Sequence, residues 1–486
     1  MKPDQIVEGL QEDFVMCGSG PPRVLLVTHY FPPEVGAPQA RLSETARAWA
    51  ADGLDVTVLT GLPNHPTGVV PAAYRRTLRR VEHIDGYRVV RTWLYATPNE
   101  GIARKTLGHL SFMVSSVLLG ARSAGPADVV VVSSPTFFSL GSAWMLARLR
   151  RARLVVEVRD LWPAIFVQLG VIRNRWIIAT LEWLELAAYR AADAVVTVTE
   201  GFRENIIGRG IPAAKVHTIP NGVDVTRFRP DPEDQRAAIP RIRERLGARP
   251  DDLLVLYIGA HGVSQGLVFV ADAAEQLGRE GAPVHFAFVG EGADKQRLAA
   301  HVARHRLTNT TLHPAVARDE VPSLLAAADI CLVLLRDVPL FNTFIPSKMF
   351  EMLAAGRPVI GAVRGEAARI LADAGAVVVP PEDPDALAAA IKALSTSPRR
   401  RAQMGHTGHT HVVAHFNRAD LARRYRDLVL GLLPVADIPH PRSRPTEAGD
   451  RKTVRAPNPT ARPSPERGDV APSTTQHGSA ASEVSA

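Results

Sequence analysis

Arg23-Val24-Leu25-Leu26-Val27 runs into Thr28-His29-Tyr30-Phe31-Pro32-Pro33, a short apolar run closed by a Pro-rich turn, as in a strand buried on both faces. Residues 40–52 follow with helical spacing, and Val56-Thr57-Val58-Leu59-Thr60 is a second buried run. Strand, helix, strand is a βαβ unit with a long loop after its first strand. Further buried runs at 88–91, 129–132, 154–158, 194–198 and 216–219, most with helical segments between them, predict an open, mainly parallel sheet.

The pattern breaks at Ile219-Pro220-Asn221-Gly222-Val223-Asp224, a turn signature followed by a polar segment, and then restarts. Residues 253–258 read as a strand ending in Gly259-Ala260-His261-Gly262, 266–277 as a helix, and 284–289 as a strand closed by Gly290-Glu291-Gly292. Strands at 329–335, 359–360 and 376–379 and helices at 385–394 and 417–432 complete this half. From 434 onward Pro, Ser, Thr, Gly and Arg dominate, a composition that cannot bury a core. The expected organisation is a flexible leader (1–21), an α/β domain (22–220), a second α/β domain (221–433) whose last helix can pack back on the first, and a disordered tail (434–486). A length of 486 residues suits two cores.

The net charge of +8 favours anionic partners such as nucleotide phosphates or anionic lipid, although a bias toward Arg explains it equally well. No clustered basic helix or aromatic platform supports nucleic-acid binding. Cys17 and Cys331 are the only cysteines, too few for a disulfide framework or a thiolate metal site. The first twenty residues lack the basic-then-apolar pattern of a signal peptide, and the apolar stretch 107–119 is too short to span a bilayer. A cytoplasmic location follows as the expectation.

In two serial domains of this kind, ligands are expected at the carboxyl ends of the strands. In the first domain, Gly36 permits close backbone approach just before a helix. His65, in a Pro-rich turn, either touches ligand or caps the turn, and His109 lies in the helical stretch 105–119. Glu157-Val158-Arg159-Asp160-Leu161-Trp162-Pro163 ends a buried strand abruptly in charges, which must be paired or solvated in a cleft. Arg159 and Asp160 form walls of an acceptor pocket or an ion pair that organises it. In the second domain, Gly259, Gly262 and Gly290 suit contact with a phosphate. Phe344-Ile345-Pro346-Ser347-Lys348-Met349-Phe350-Glu351 reads as a turn and a helix opened by Ser347, whose free N–H groups and Lys348 form an anion seat. Glu351, three residues on, is suited to accept hydrogen bonds from ribose hydroxyls. Arg364 and Gly365 belong to a further loop.

Together HYFPPEVGAP, LPNHPTGVVP, EVRDLWP, IPNGVD, GxHGxxQGL, IPSKMFEMLAAGRPVI, RGEAARI and VVPPEDP resemble the retaining glycosyltransferase family 4 over about 23–433. Within that family they resemble the subgroup typified by bacterial L-fucosamine-type transferases of surface-polysaccharide assembly. The resemblance implies the GT-B architecture, two facing Rossmann-like domains with a cleft between them. It places Gly36 at the donor diphosphate, His109 by the transferred sugar, and Glu351 at the ribose as the second acid of an E-x7-E signature. The first acid falls at Thr343, and a position usually basic is Gln265. The donor is expected to be a nucleotide sugar, UDP-linked, and the acceptor a glycan or a polyprenyl-diphosphate-linked sugar. His109, Lys348, Arg159 and Asp160 are the candidate catalytic residues. No metal or other cofactor is expected, because helix-end amides and cationic side chains can stabilise the leaving phosphate. Arg75-Arg76, Arg79-Arg80 and the apolar helix after Arg104-Lys105 suggest peripheral contact with anionic lipid on the inner face of the plasma membrane. Alternatives are a non-hydrolysing nucleotide-sugar epimerase and a catalytically silent nucleotide-sugar-binding protein; a dinucleotide-dependent oxidoreductase is disfavoured by the absence of a GxGxxG fingerprint.

Overall fold

The computed structural model describes residues 20–434 except 35, 66, 98–101, 135–136, 165–166, 168–171 and 231–235. All but the innermost residues of the expected leader and tail lie outside this range. The first lobe contains β1 (Arg23–Val27), α1 (Ala37–Ala51), β2 (Asp55–Gly61), β3 (Arg79–Ile84), β4 (Tyr87–Thr92), α2 (Ile102–Ser115), α3 (Ala121–Ala124), β5 (Val129–Ser133), α4 (Phe138–Arg150), β6 (Arg153–Val158), α5 (Arg175–Ala191), β7 (Ala194–Thr197), α6 (Glu200–Gly208) and β8 (Val216–Thr218). Its eight strands follow the order β3-β4-β2-β1-β5-β6-β7-β8. All pairs are parallel except β3 with β4, a hairpin closed by Asp85-Gly86, both at positive φ (47° and 85°). The sequence pattern gave no sign of β3. It is an edge strand whose Arg79, Arg80 and Glu82 interrupt any apolar alternation, which also protects the edge from pairing with another chain.

The second lobe contains α7 (Ile239–Arg245), β9 (Leu253–Ile258), α8 (Val268–Arg279), β10 (Val284–Val289), α9 (Lys295–His305), β11 (Thr310–His313), α10 (Val321–Ala327), β12 (Ile330–Leu334), α11 (Lys348–Ala354), β13 (Val359–Ala362), α12 (Gly365–Asp373), β14 (Val377–Val379), α13 (Pro384–Ser395), α14 (Pro398–His415) and α15 (Arg418–Leu430). Its six strands are all parallel in the order β11-β10-β9-β12-β13-β14. Both lobes are thus Rossmann-like, each sheet buried between helical layers. The helix α14 was not foreseen because its sequence is rich in Arg and His. It is held by a narrow stripe of Met404, Gly405, Gly408 and Val412, where Gly408 lets Leu353 approach.

The last helix belongs in space to the first lobe. Leu421, Tyr425 and Val429 share a core with Val24, Leu26 and Val56, and the Trp49 indole donates to the Ala422 carbonyl at 2.9 Å. The chain therefore crosses between lobes twice, and the crossings are paired. Val223 donates to the Phe416 carbonyl (2.9 Å), and Arg418 donates to that of Val223 (3.0 Å).

Beside this junction, Arg41 on α1 is buried and pairs with the fully buried Glu157 at 2.8 Å. Its remaining N–H groups reach the carbonyls of Pro220 (2.7 Å) and Ile219 (3.1 Å). Arg41→Leu leaves Glu157 buried without its partner, and breaking such a pair from one side costs about 3–5 kcal/mol. A clear fall in the thermal midpoint of Arg41→Leu is expected by circular dichroism; an unchanged midpoint would show that the pair carries no stability.

Candidate active site

Three clusters of polar side chains collect at the carboxyl ends of the strands. The first follows β1. The buried Glu34 accepts from the Phe31 amide (3.0 Å) with one oxygen and from the Asn64 and His65 amides (both 2.8 Å) with the other. This ties the loop after β1 to the loop after β2. His29 emerges beside His109 of α2, their Nδ1 atoms 3.4 Å apart, and the His109 ring stacks on Phe138. His29, Tyr30, Asn64, His65, Lys105 and His109 line a cavity of about 250 Å3. Burial, followed by Lys105, pushes His109 down to about 4. Burial, then His109 and His65, takes His29 well below its ordinary value. Both rings are neutral at pH 7. Gly36 precedes α1 in extended conformation (φ 174°), where a Cβ would collide with the buried Gln39 side chain. The stretch read as one helix over 105–119 is α2 followed by a π-turn, Ser116–Gly120; this sets Gly120 against β2 and β4, where a Cβ would lie 2.6 Å from Leu59.

The second cluster lies between the lobes. Arg159, Asp160, Thr199 and Asn221 from the first lobe side meet Phe344 and Ser347 from the second around a cavity of about 190 Å3. Nε and Nη1 of Arg159 are buried without hydrogen-bond partners. Burial lowers Arg159 to about 10, opposed by Glu157, and raises Asp160 to about 6, opposed by Arg159. Ser347 does not cap α11, contrary to the sequence reading: its hydroxyl accepts from the Asn221 amide at 3.3 Å instead. The amides of Met349 and Phe350 are bonded to Pro346 and Ser347, so the anion seat expected at this helix start loses two of its donors.

The third cluster is built by the second lobe. Lys348 Nζ donates to the Tyr257 hydroxyl at 2.7 Å and lies 4.0 Å from the centre of that ring. Tyr257 in turn donates to the Ala260 carbonyl (2.6 Å). Gly259 adopts φ 134°, a conformation that strains other residues, and a Cβ there would also stand 2.8 Å from Lys348 Nζ and displace it. Gly290 is packed so closely on the Gly259 carbonyl that any side chain would collide with it. Between these loops His261 is completely buried, and burial with Lys295 and Lys348 holds it near 4. Gln265, where the family resemblance expects a basic residue, uses its carbonyl oxygen to accept from the Gly262 amide at 3.1 Å and so holds its own loop.

Glu351 is half-buried, 3.9 Å from Arg318, and burial raises its pKa while Arg318 and Arg418 oppose that rise. Arg318 also reaches Glu44 of α1 at 3.4 Å, and Arg418 pairs with the same carboxylate. Arg364 is engaged by Asp337 at 3.0 and 3.2 Å, and with Gly365 it lines a different depression, beside Asn342 and Val378. The structure thus converges Lys348 with Gly259 and Gly290, and Arg159 with Asp160 and Ser347. His109 stands in the separate first-lobe cavity. Sequence reasoning missed Glu34, Arg41, Tyr257 and Arg318. Arg41 was legible in principle, because Arg41, Thr45 and Trp49 repeat every four residues along the inward face of α1.

Burial lowers Lys348 from 10.5 to about 7, with Glu351 acting to raise it. Between those two values the unfolded chain binds the extra proton, so stability rises with pH across the window and the penalty is fully present below about pH 7. Lys348→Met should flatten that rise in urea unfolding between pH 7 and 10; an unchanged slope would mean that Lys348 titrates at its ordinary value.

Residues 36–222 match the Glycosyl transferase 4-like domain model, and residues 252–397 the Glycosyl transferases group 1 model. The chain is 28% identical over 381 residues to the Escherichia coli K12 protein named "Putative colanic acid biosynthesis glycosyl transferase WcaI", covering 76% of this chain and 91% of that one. It is 27% identical over 392 residues to D-inositol 3-phosphate glycosyltransferase 2 of Catenulispora acidiphila, covering 78% and 86%. Among solved structures, sucrose-phosphate synthase from Thermosynechococcus elongatus aligns with a TM-score of 0.64 at 20% identity over 85% of this chain and 99% of that one. Anabaena Alr3699/HepE, in complex with UDP and glucose, aligns at 0.62 with 18% identity over 84% and 99%. The structural likenesses establish the two-domain GT-B-like fold, and each lobe matches a model of glycosyl transferases over most of its length.

Proposed function

We propose that the protein transfers a sugar from a nucleotide diphosphate sugar to a hydroxyl of a lipid-linked or glycan acceptor, with retention of anomeric configuration. The observation that carries this reading is the convergence of Lys348, Tyr257, Gly259 and Gly290 at the ends of β9 and β10, with Glu351 one turn along α11. A cation beside side-chain-free backbone suits a diphosphate, and a half-buried carboxylate suits ribose hydroxyls. UDP as the nucleotide draws support from the UDP held by the Anabaena protein. A place in surface-polysaccharide assembly, with an N-acetylated deoxyhexosamine as the sugar, draws on the motif resemblance and on the name of the E. coli relative.

In this reading the donor's sugar–phosphate bond breaks as the acceptor hydroxyl attacks. The electron pair leaves with the phosphate, and the acceptor proton passes to a leaving phosphate oxygen. Lys348 meets the growing charge, Gly36 gives the diphosphate backbone access from the first lobe, and His109, neutral at pH 7, hydrogen-bonds the transferred sugar. Arg159 and Asp160 position the acceptor from the interlobe cavity. None of these roles needs a metal ion, and the described residues contain no cluster of three or more His, Cys, Asp or Glu able to hold one. None of the described helices is long and apolar enough to cross a membrane. The proposed location is cytoplasmic, peripheral to the inner face of the plasma membrane.

Lys348→Ala should lower turnover by about 10²–10³-fold with candidate UDP-sugars, the usual loss for one preorganised charge-stabilising donor. Wild-type turnover should survive EDTA. Unchanged turnover and donor affinity in Lys348→Ala would remove its phosphate role. Product formed from donor alone would identify an epimerase, and donor binding without transfer to any acceptor would identify a silent binding protein.

A further inference from the structure

The helices α2, α4 and α5 lie side by side, α2 packed on α4 and α4 on α5, covering one face of the first sheet, while α1 and α15 pack together on the other. Their outward faces carry large apolar side chains among the charged ones. Leu107 and Leu118 on α2 and its π-turn are 51% and 75% exposed, Trp144 and Leu149 on α4 are 44% and 67%, and Trp176 and Trp183 on α5 are 72% and 63%. Three of the six tryptophans of the chain stand on this face.

The same three segments are strongly cationic. Residues 102–124, 138–151 and 173–191 contain three Lys or Arg each, against Glu182 and Glu185. Glu185 is buried on Arg209 at 2.6 Å and does not offset the surface charge, and Arg150, which donates to the Gly125 and Ala121 carbonyls, does not add fully to it. The Arg175 guanidinium lies over the Trp176 ring at 5.2 Å, an aromatic and a cation presented together. Beside Trp144, Arg148 and Arg151 border a depression of about 1030 Å3, whose two carboxylates, Asp128 and Asp193, are paired with Arg23 and Arg153.

Apolar stripes, tryptophans and an excess of cations on one surface match the interface between anionic headgroups and acyl chains. A second copy of the chain fits poorly, because a two-fold contact would set the same cationic face against itself. We propose that the α2–α4–α5 face docks the enzyme on an anionic lipid surface. α2 supplies Lys105, Gly108 and His109 to the first-lobe cavity and Leu107 to the apolar face, so cavity and face share one helical turn. A membrane-held acceptor would enter there, which deepens the lipid-linked acceptor reading and rests on it for its purpose. The arginines near residue 75 are a different surface: Arg80 pairs with Glu82 at 3.0 Å on the β3 edge, and Arg75 donates to the Val70 carbonyl.

Flotation of the full chain tests this, using vesicles of equal parts phosphatidylglycerol and phosphatidylcholine against phosphatidylcholine alone. The wild type should float with the anionic vesicles at low salt. The triple change W144S/W176S/W183S should cut the bound fraction by about tenfold. Its melting curve and its turnover on a soluble short-chain acceptor should stay unchanged, since all three side chains are exposed. The change R75S/R76S/R79S should retain flotation. No flotation of the wild type, or equal flotation of the tryptophan variant, overturns the proposal. So does a dimer in sedimentation that the tryptophan variant breaks without any vesicle binding, which would make the face a protein interface. Failure of the transferase reading appears separately, as absent turnover by the wild type on soluble acceptors.

Discussion

The Arg41 guanidinium is the constraint on which the cleft depends. A cation buried this deeply must have its charge met and its N–H groups taken up. Glu157 meets the charge, and the carbonyls of Ile219 and Pro220 take up N–H groups. The turn by which the chain leaves the first lobe is thereby fixed to the end of β6 and to α1. Two consequences reach the site. Arg159 follows Glu157 by two residues on the same strand end, so its position is set by the same pair. Arg41 also donates to the Asn221 side-chain oxygen (3.3 Å), which leaves the Asn221 amide pointing at Ser347, next to Lys348.

Contacts between the lobes account for one departure from the family pattern. Glu366, at the start of α12, accepts from the Glu200 and Gly201 amides at 3.0 Å each and so occupies the N-terminus of α6 in the other lobe. Thr343 packs its methyl group against Gly201, where even a Cβ would lie only 2.6 Å away, and its hydroxyl donates to the Leu340 carbonyl. A carboxylate at 343 would enter this contact beside Glu366 and oppose it by like charge. The small neutral side chain suits a junction in which another acid already holds the helix end. The Glu44–Arg318–Glu351 chain spans the same cleft, so the carboxylate suited to ribose is tied electrostatically to α1 of the opposite lobe.

Most of the fold was legible, because strands buried on both faces announce themselves as short apolar runs. The expected strands at 253–258 and 284–289 coincide with β9 and β10. What escaped had its specificity in tertiary contact. The strand β3 is charged because it is an edge, and α14 is polar because only a stripe of it is buried. Of the candidate site, the residues marked by glycine and charge at strand ends gather at two junctions: Gly259, Gly290 and Lys348 at one, Arg159 and Asp160 at the other. Ser347 misled, since its hydroxyl answers Asn221 from a distant segment and not the helix it precedes. Tyr257 was hidden inside a strand, yet it is the group that holds Lys348.

The two banks of the cleft differ in charge in a way that bears on what each can bind. On the first-lobe bank, burial keeps His29 and His109 neutral at pH 7, and neutral imidazoles can donate to and accept from hydroxyl groups without attracting anions. On the second-lobe bank, burial lowers Lys348 to about 7. An anion placed beside an amine at that value favours its charged form and draws in a proton at neutral pH. Burial thus separates a second-lobe cluster that carries an amine from a first-lobe cavity lined by neutral imidazoles. That division is set by burial at strand ends, before any ligand is present.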